Sequence, residues 1–254
     1  MIKKILFKSS TFRTIYSFIR FLLFCVILKR YKFLYDDNSV NIENLDLKSL
    51  GYDNEVKEAP GNYFKKIRDY EKKSLIKNGL KIENIFNMFS GNRSMLIINP
   101  ILSLSYLNRE KLKVLSVGPR TESEIFCLIG NGFRKENICS IDLQSYSSLI
   151  DTGDIHAINF NDNTFDVIIC GWTIAYSFNK VLAASELIRV AKDDSIISIS
   201  GTYAKEEKGS ITLEILNNLF KDCIKNIIFN LDHKYFPKNV SSKHSVLTFV
   251  VKKD

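Results

Sequence analysis

Several things are scarce in this 254-residue chain, and each scarcity narrows the reading. There are only 4 Pro and 11 Gly, too few for a long Pro- or Gly-rich linker. The five cysteines, Cys25, Cys127, Cys139, Cys170 and Cys223, form no Cys-x-x-Cys pair. Most lie in apolar runs, which points to buried free thiols in a reducing compartment rather than a disulfide framework. Three histidines, His156, His233 and His244, show no metal-ligand spacing with those cysteines, so no metal is expected. The longest apolar run in the N-terminal arm, Phe21 to Leu28, is far short of the roughly 20 residues that cross a bilayer. Arg20 interrupts that segment and Lys29-Arg30 closes it without a small-x-small site, so a cleaved signal is not expected.

Acidic residues are absent from the first 35 positions, which hold Lys3, Lys4, Lys8, Arg13, Arg20, Lys29, Arg30 and Lys32. Taking those eight from the 36 Lys and Arg leaves 28, equal to the 28 Asp and Glu. The net charge of +8 therefore sits in the arm, and the body is neutral, with no general nucleic-acid signature. Arg13, Ser17 and Arg20 share one helical stripe, and the residues after them are apolar all round. Two readings of the arm stay open. One is an interfacial helix on anionic lipid. The other is a helix packed on the protein itself.

The chain divides into three parts: a basic apolar arm, 1–35; a connector and helical cap, 36–110; and a main domain, 111–254. Helices are expected over Tyr63 to Asn78 and Ile82 to Phe89, and Pro100 is expected to break or kink the apolar stretch Met95 to Leu107. From Lys113 onward strands and helices alternate, the pattern of a parallel sheet covered on both faces. Strands are expected at Val114–Val117, Asn137–Leu143, Phe165–Cys170, Ser195–Ser200, Lys225–Leu231 and Val246–Val251. Helices are expected at about Thr121–Asn131, Lys180–Ala191 and 210–222, the first opened by a Thr121/Glu124 capping box.

The stretch Val117-Gly118-Pro119-Arg120-Thr121 joins a buried strand to a helix N-terminus, a ready ligand turn. Asp142 ends the next strand, where a carboxylate can accept both hydroxyls of a ribose. The dinucleotide fingerprint Gly-x-Gly-x-x-Gly is not met, because Arg120 and Ser123 stand at its second and third glycines, so NAD and FAD are disfavoured.

Val117-Gly118-Pro119-Arg120-Thr121-Glu122, then Ile141-Asp142-Leu143, then Gly153 to Ile168, resemble the class I S-adenosylmethionine-dependent methyltransferases. The nearest branch is the small-molecule one that reads Gly-Asp-x-x-x-x-Pro-Phe-x-Asp-x-x-Phe-Asp. Glu186-Leu187-Ile188-Arg189-Val190-Ala191-Lys192 is similar to that branch's Glu-x-x-Arg-Val-Leu-Lys helix. The resemblance implies a doubly wound α/β fold: a mostly parallel seven-stranded sheet with an antiparallel last strand. It implies S-adenosyl-L-methionine as cofactor, held by Gly118 with Pro119, Arg120 and Glu122, by Asp142 at the ribose, by Asp154 and Ile155 at the adenine, and by Cys170 and Gly171 beside the methionine moiety. Ser116 departs from the acid usual two residues before the first Gly, and Asn159 from the usual Pro. Glu122 or Glu124 is then the candidate for the methionine ammonium.

Trp172, Tyr176 and Tyr203 are the acceptor candidates, and His156 and Tyr176 the candidates for a catalytic role. Cys170-Gly171-Trp172-Thr173 stands where base N-methyltransferases carry Asn/Asp-Pro-Pro-aromatic, which favours a hydroxyl or carbon acceptor. The expected activity is methyl transfer to a small or lipid-linked acceptor, with a saccharide preferred, in the cytoplasm or peripherally at its membrane face. A composition heavy in Lys, Asn and Ile suggests a bacterial source. A methyltransferase-fold scaffold without chemistry, and RNA methylation guided by the arm, are the competing readings. Oligomeric state is not readable.

Overall fold

The structure, a computed structural model, describes residues 43–44, 94–119, 122–145, 149–203, 210–237 and 243–253. The basic arm, the connector and the helices expected over Tyr63 to Phe89 lie outside them, as do Arg120 and Thr121.

Seven strands form one sheet. They are β1 (Val114–Val117), β2 (Ile138–Asp142), β3 (Asp151–Thr152), β4 (Phe165–Gly171), β5 (Ala191–Tyr203), β6 (Ile224–Leu231) and β7 (Lys243–Val251). Their order is β3-β2-β1-β4-β5-β7-β6. The pairings from β3 to β5 are parallel, and β7 runs antiparallel between β5 and β6. This is the mostly parallel sheet with an antiparallel last strand that the resemblance implies. A two-residue antiparallel pairing joins Glu43–Asn44 to Gln144–Ser145.

Every residue of β1 is buried, as befits a central strand covered on both faces. Alternation then sends side chains to two cores. Leu115, Ile168, Ile197 and Leu247 pack with Ala183 and Leu187 of α3 (Lys180–Val190) and Leu216 and Phe220 of α4 (Leu213–Phe220). Val114, Val167, Ile169 and Val246 pack with Ile97, Ile98 and Ile101 of α1 (Met95–Leu102) and Leu128 of α2 (Glu122–Gly130). Each fully buried aliphatic side chain contributes about 1.5–3 kcal/mol.

Several boundaries differ from the sequence expectation for local reasons. Pro100 does not break α1, which runs on to Leu102. It sits in the last turn, where it removes only its own amide bond, and its carbonyl accepts from Ser103 Oγ at 2.6 Å. α1 lies on the sheet face across β4, β5 and β7. β5 extends beyond Ser195–Ser200 at both ends: Ala191 pairs with Phe165 of β4, and β7 pairs with β5 as far as Tyr203 opposite Lys243. β3, with only Asp151 and Thr152, has no apolar run to announce it. It exists by pairing with Ile141 and Asp142.

The residues similar to the Glu-x-x-Arg helix act as a staple. Arg189 donates to Glu186, to Asp162 and to the carbonyls of Ile158 and Phe160. Glu186 also accepts from the amide of Ile158, and its carboxyl is held below the usual range chiefly by Arg189. This pins the loop that delivers the chain into β4. The four cysteines described are free. Burial pushes Cys127 and Cys170 up to about 12 and Cys223 to about 11, so these three are inert core thiols.

Candidate functional site

Strands on one side of β1 continue outward as β2 and β3, and on the other side as β4 and β5. The order reverses between β1 and β4, and at such a point the connections diverge and leave a crevice at the carboxyl ends. Val117 pairs with Cys170, so Gly118 and Gly171 leave adjoining strands at one level.

Gly118 is held with φ +66°, and a Cβ there would overlap the Thr173 side chain. Its amide donates to the carbonyl of Ile141 at 2.8 Å. Only glycine meets both demands comfortably. Pro119 beside it is buried. A Cβ on Gly171 would come within 3.0 Å of Ile97 Cδ1 and 3.5 Å of Glu124 Oε2.

Glu124 is the residue the crevice is built around. It is 3% exposed, in the first turn of α2. Its carboxylate accepts from Ser116 Oγ at 2.6 Å and from Ser94 Oγ at 2.9 Å. Ser116 is the position where the family carries its strand acid. Glu124, eight residues later in the chain, places its carboxylate against that position from the helix. Its charge adds to burial in raising the Cys127 and Cys170 thiols. Of the two acids weighed for this place, Glu124 points here; Glu122 begins α2, and its side chain lies outside what is described.

Asp142 ends β2, half-buried, and its carbonyl accepts from the Gly153 amide at 2.8 Å. Asp154 therefore enters at the same edge of the sheet. It is buried and accepts from His156, at 3.0 Å from the backbone amide and 2.7 Å from Nδ1. Ile155 is buried in the core. So is the Cys170 side chain, in a strand paired on both sides.

Beyond Gly171 the chain turns abruptly. Trp172 has φ +64°, a region bulky residues rarely occupy and a cost of order 1–3 kcal/mol. It is buried, and its indole N–H donates to His244 Nδ1 at 3.1 Å. A one-turn 3-10 helix, Thr173–Tyr176, follows. Of the acceptor candidates, Trp172 is thus a buried wall and Tyr176 is 59% exposed. Tyr203, at the end of β5, stacks on His233 with centroids 3.9 Å apart. Ser94, Ser177 and His244 were not singled out by sequence, because nothing in their neighbourhoods marks them.

The residues fit S-adenosylmethionine. A glycine turn with no room for a side chain, a carboxylate on the neighbouring strand end and a buried carboxylate bonded to Ser116 of the strand before the turn suit a ligand bearing a ribose and an ammonium. Among the described residues no group of His, Cys, Asp and Glu could hold a metal ion.

Residues 134–199 match the family described as a methyltransferase domain. No curated protein matches the chain. Solved structures similar to it include a putative sarcosine dimethylglycine methyltransferase from Galdieria sulphuraria, at 13% identity, over 62% of this chain and 84% of that one, with a TM-score of 0.49. A second is a SAM-dependent methyltransferase from Aquifex aeolicus, at 15% identity, over 68% and 100%, with a TM-score of 0.45. A third is the complex of the Haloferax volcanii Trm112 methyltransferase activator with a putative methyltransferase, at 11%, over 64% and 91%, with a TM-score of 0.49. Residues 134–199 are thus similar to a methyltransferase domain, and the strand order with its β1–β4 crevice is the one that the resemblance to the class I S-adenosylmethionine-dependent methyltransferases implies.

Proposed function

We propose that the chain methylates a hydroxyl of a small or lipid-linked saccharide at the cytoplasmic face of a membrane. The observation that carries the cofactor half is Glu124, a buried carboxylate bonded to Ser116 of β1 and lying beside Gly171 at the switch point. In this reading Glu124 receives the methionine ammonium, the Gly118 turn leaves room for the ligand, Asp142 takes the ribose hydroxyls and Asp154 the adenine amine. When bound, the cofactor supplies an electrophilic methyl group. The protein's task is then to hold an acceptor oxygen in line and to exclude water.

The acceptor half rests on other features. Gly171-Trp172-Thr173 lacks the side chains that hold a planar base amine, which favours a hydroxyl. Trp172 and Tyr176 follow the carboxyl end of β4 and Tyr203 closes β5, and aromatic faces with polar edges suit a sugar ring. The basic, apolar residues 1–35 suit an anionic lipid surface.

Calorimetric titration with S-adenosylhomocysteine tests the cofactor site. The wild type is expected to bind in the micromolar range. Asp142→Ala is expected to bind at least about tenfold more weakly, since hydrogen bonds to a charged group contribute about 1.5–3 kcal/mol, less where water competes. Equal affinity in the variant overturns the ribose assignment. Deleting residues 1–35 is expected to move the protein from the membrane fraction to the soluble one, and an unchanged distribution overturns the membrane part.

A further inference from the structure

Nothing in the sequence links Ser177 to His156, yet the fold brings His156 Nε2 within 2.6 Å of Ser177 Oγ. A carboxylate only accepts, so the 2.7 Å contact of Asp154 Oδ1 fixes the proton on His156 Nδ1. In the neutral imidazole Nε2 is then the acceptor and the Ser177 hydroxyl the donor. Ser177 Oγ in turn accepts from the amide of Asn179, the N-cap of α3, at 3.2 Å. Asp154, His156 and Ser177 are 6%, 7% and 6% exposed, so water does not compete for these bonds. The Phe178 ring lies on the imidazole, with centroids 4.0 Å apart.

The segment Trp172–Asn179 is held at both ends. At its start, Thr173 Oγ1 lies 3.1 Å from the Val117 carbonyl and 3.3 Å from that of Gly118. At its end, Ser177 is bonded through His156 to Asp154. One short loop, carrying the acceptor candidates Trp172 and Tyr176, thus touches both turns that the cofactor would contact.

We infer that His156 is a positioning residue, joining the adenine-side Asp154 to the acceptor loop through Ser177, so that cofactor binding and the order of that loop are one event. The inference rests on the reading of Asp154 given above. The same order of groups activates a nucleophile in acyl-transfer enzymes. Here the serine is buried and its oxygen already accepts from Asn179, so the chain of bonds holds the loop and does not attack a substrate.

Trp172, the only tryptophan, lies in this loop and reports on it. S-adenosylhomocysteine is titrated into the full chain, with tryptophan emission read beside calorimetric heat, for wild type, Ser177→Ala and Ser177→Thr. In the wild type, emission should change and saturate with the heat. Ser177→Ala should bind within about threefold of wild type, about 0.7 kcal/mol, and lose most of the emission change. Ser177→Thr, which keeps the hydroxyl, should regain it. A wild-type emission change in Ser177→Ala overturns the inference, as does wild-type binding with silent tryptophan. Absence of calorimetric binding by the wild type overturns the cofactor reading itself. Should Ser177→Ala not fold, amide exchange on the wild type decides. Ligand should protect 153–157 and 172–179 together, and protection of the first segment alone overturns the coupling.

Discussion

Glu124→Gln should bind S-adenosylhomocysteine about 100-fold more weakly than the wild type while melting at the same temperature or higher. Gln keeps the shape and one carbonyl oxygen, and both serine hydroxyls can rotate to suit the new amide. What it removes is the charge. A carboxylate 3% exposed carries a desolvation penalty, which Gln avoids. An incoming ammonium adds a charge-assisted bond in a site with little water, and such bonds contribute about 1.5–3 kcal/mol, the upper end of which is about 100-fold. The effect should exceed that of Asp142→Ala, because Asp142 is half-exposed and screened. Calorimetry and a thermal melt on the same samples check both halves. Undiminished affinity would assign Glu124 a purely structural role with Ser116 and Ser94. A large fall in melting temperature would mean the charge supports the fold.

Gly118→Ala should destabilise the protein by about 2–3 kcal/mol and lower its melting temperature by about 4–12 °C. Two costs combine. A left-handed φ on a residue with a Cβ costs about 1–2 kcal/mol. The new methyl also meets the Thr173 side chain, whose Cβ would be 2.8 Å away, and backbone must shift to relieve it. The two costs separate in a double-mutant cycle with Thr173→Gly. The double variant should recover the steric part and keep the φ part, so the coupling between the two positions should be favourable and outside additivity. Simple additivity would show that Thr173 moves aside freely and that φ alone matters. Because Thr173 opens the acceptor loop, the single variant should also weaken cofactor binding beyond what its stability loss explains.

The central strands were legible from composition. Val114–Val117 and Phe165–Cys170 are short apolar runs bounded by polar residues and Gly, and a strand buried on both faces has no other pattern open to it. β7 was legible for the same reason, though β5 and β7 proved longer than their apolar cores. The C-terminal end of β5 and the N-terminal end of β7 are stabilised by each other through ladder bonds, which local composition does not encode. β3 was illegible: Asp151 and Thr152 become a strand only because β2 presents an edge.

The same division holds at the site. Gly118 and Asp142 could be found from sequence because each sits where a strand ends, a position that periodicity locates. Glu186 and Arg189 were found by resemblance, and the structure gave them, with Asp162, a mechanical meaning as the staple of the loop before β4. Glu124 was visible only as one of two acids near a helix start. That it reaches Ser116 and Ser94, 8 and 30 residues away, follows from how α2 and α1 lie on one face of the sheet. The bond between His156 and Ser177 spans 21 residues and has no local signature, since neither residue type nor spacing distinguishes it from ordinary loop content.

By itself, then, the sequence determined the strand–helix alternation, the buried strands and the glycine turn, because these depend on periodicity and on backbone freedom within a few neighbours. The tertiary structure alone decided which carboxylate lies against Ser116, which serine holds the histidine and which way Trp172 turns. Those outcomes depend on distances between elements, and short-range chemistry is indifferent to them until packing brings the groups within reach of a hydrogen bond.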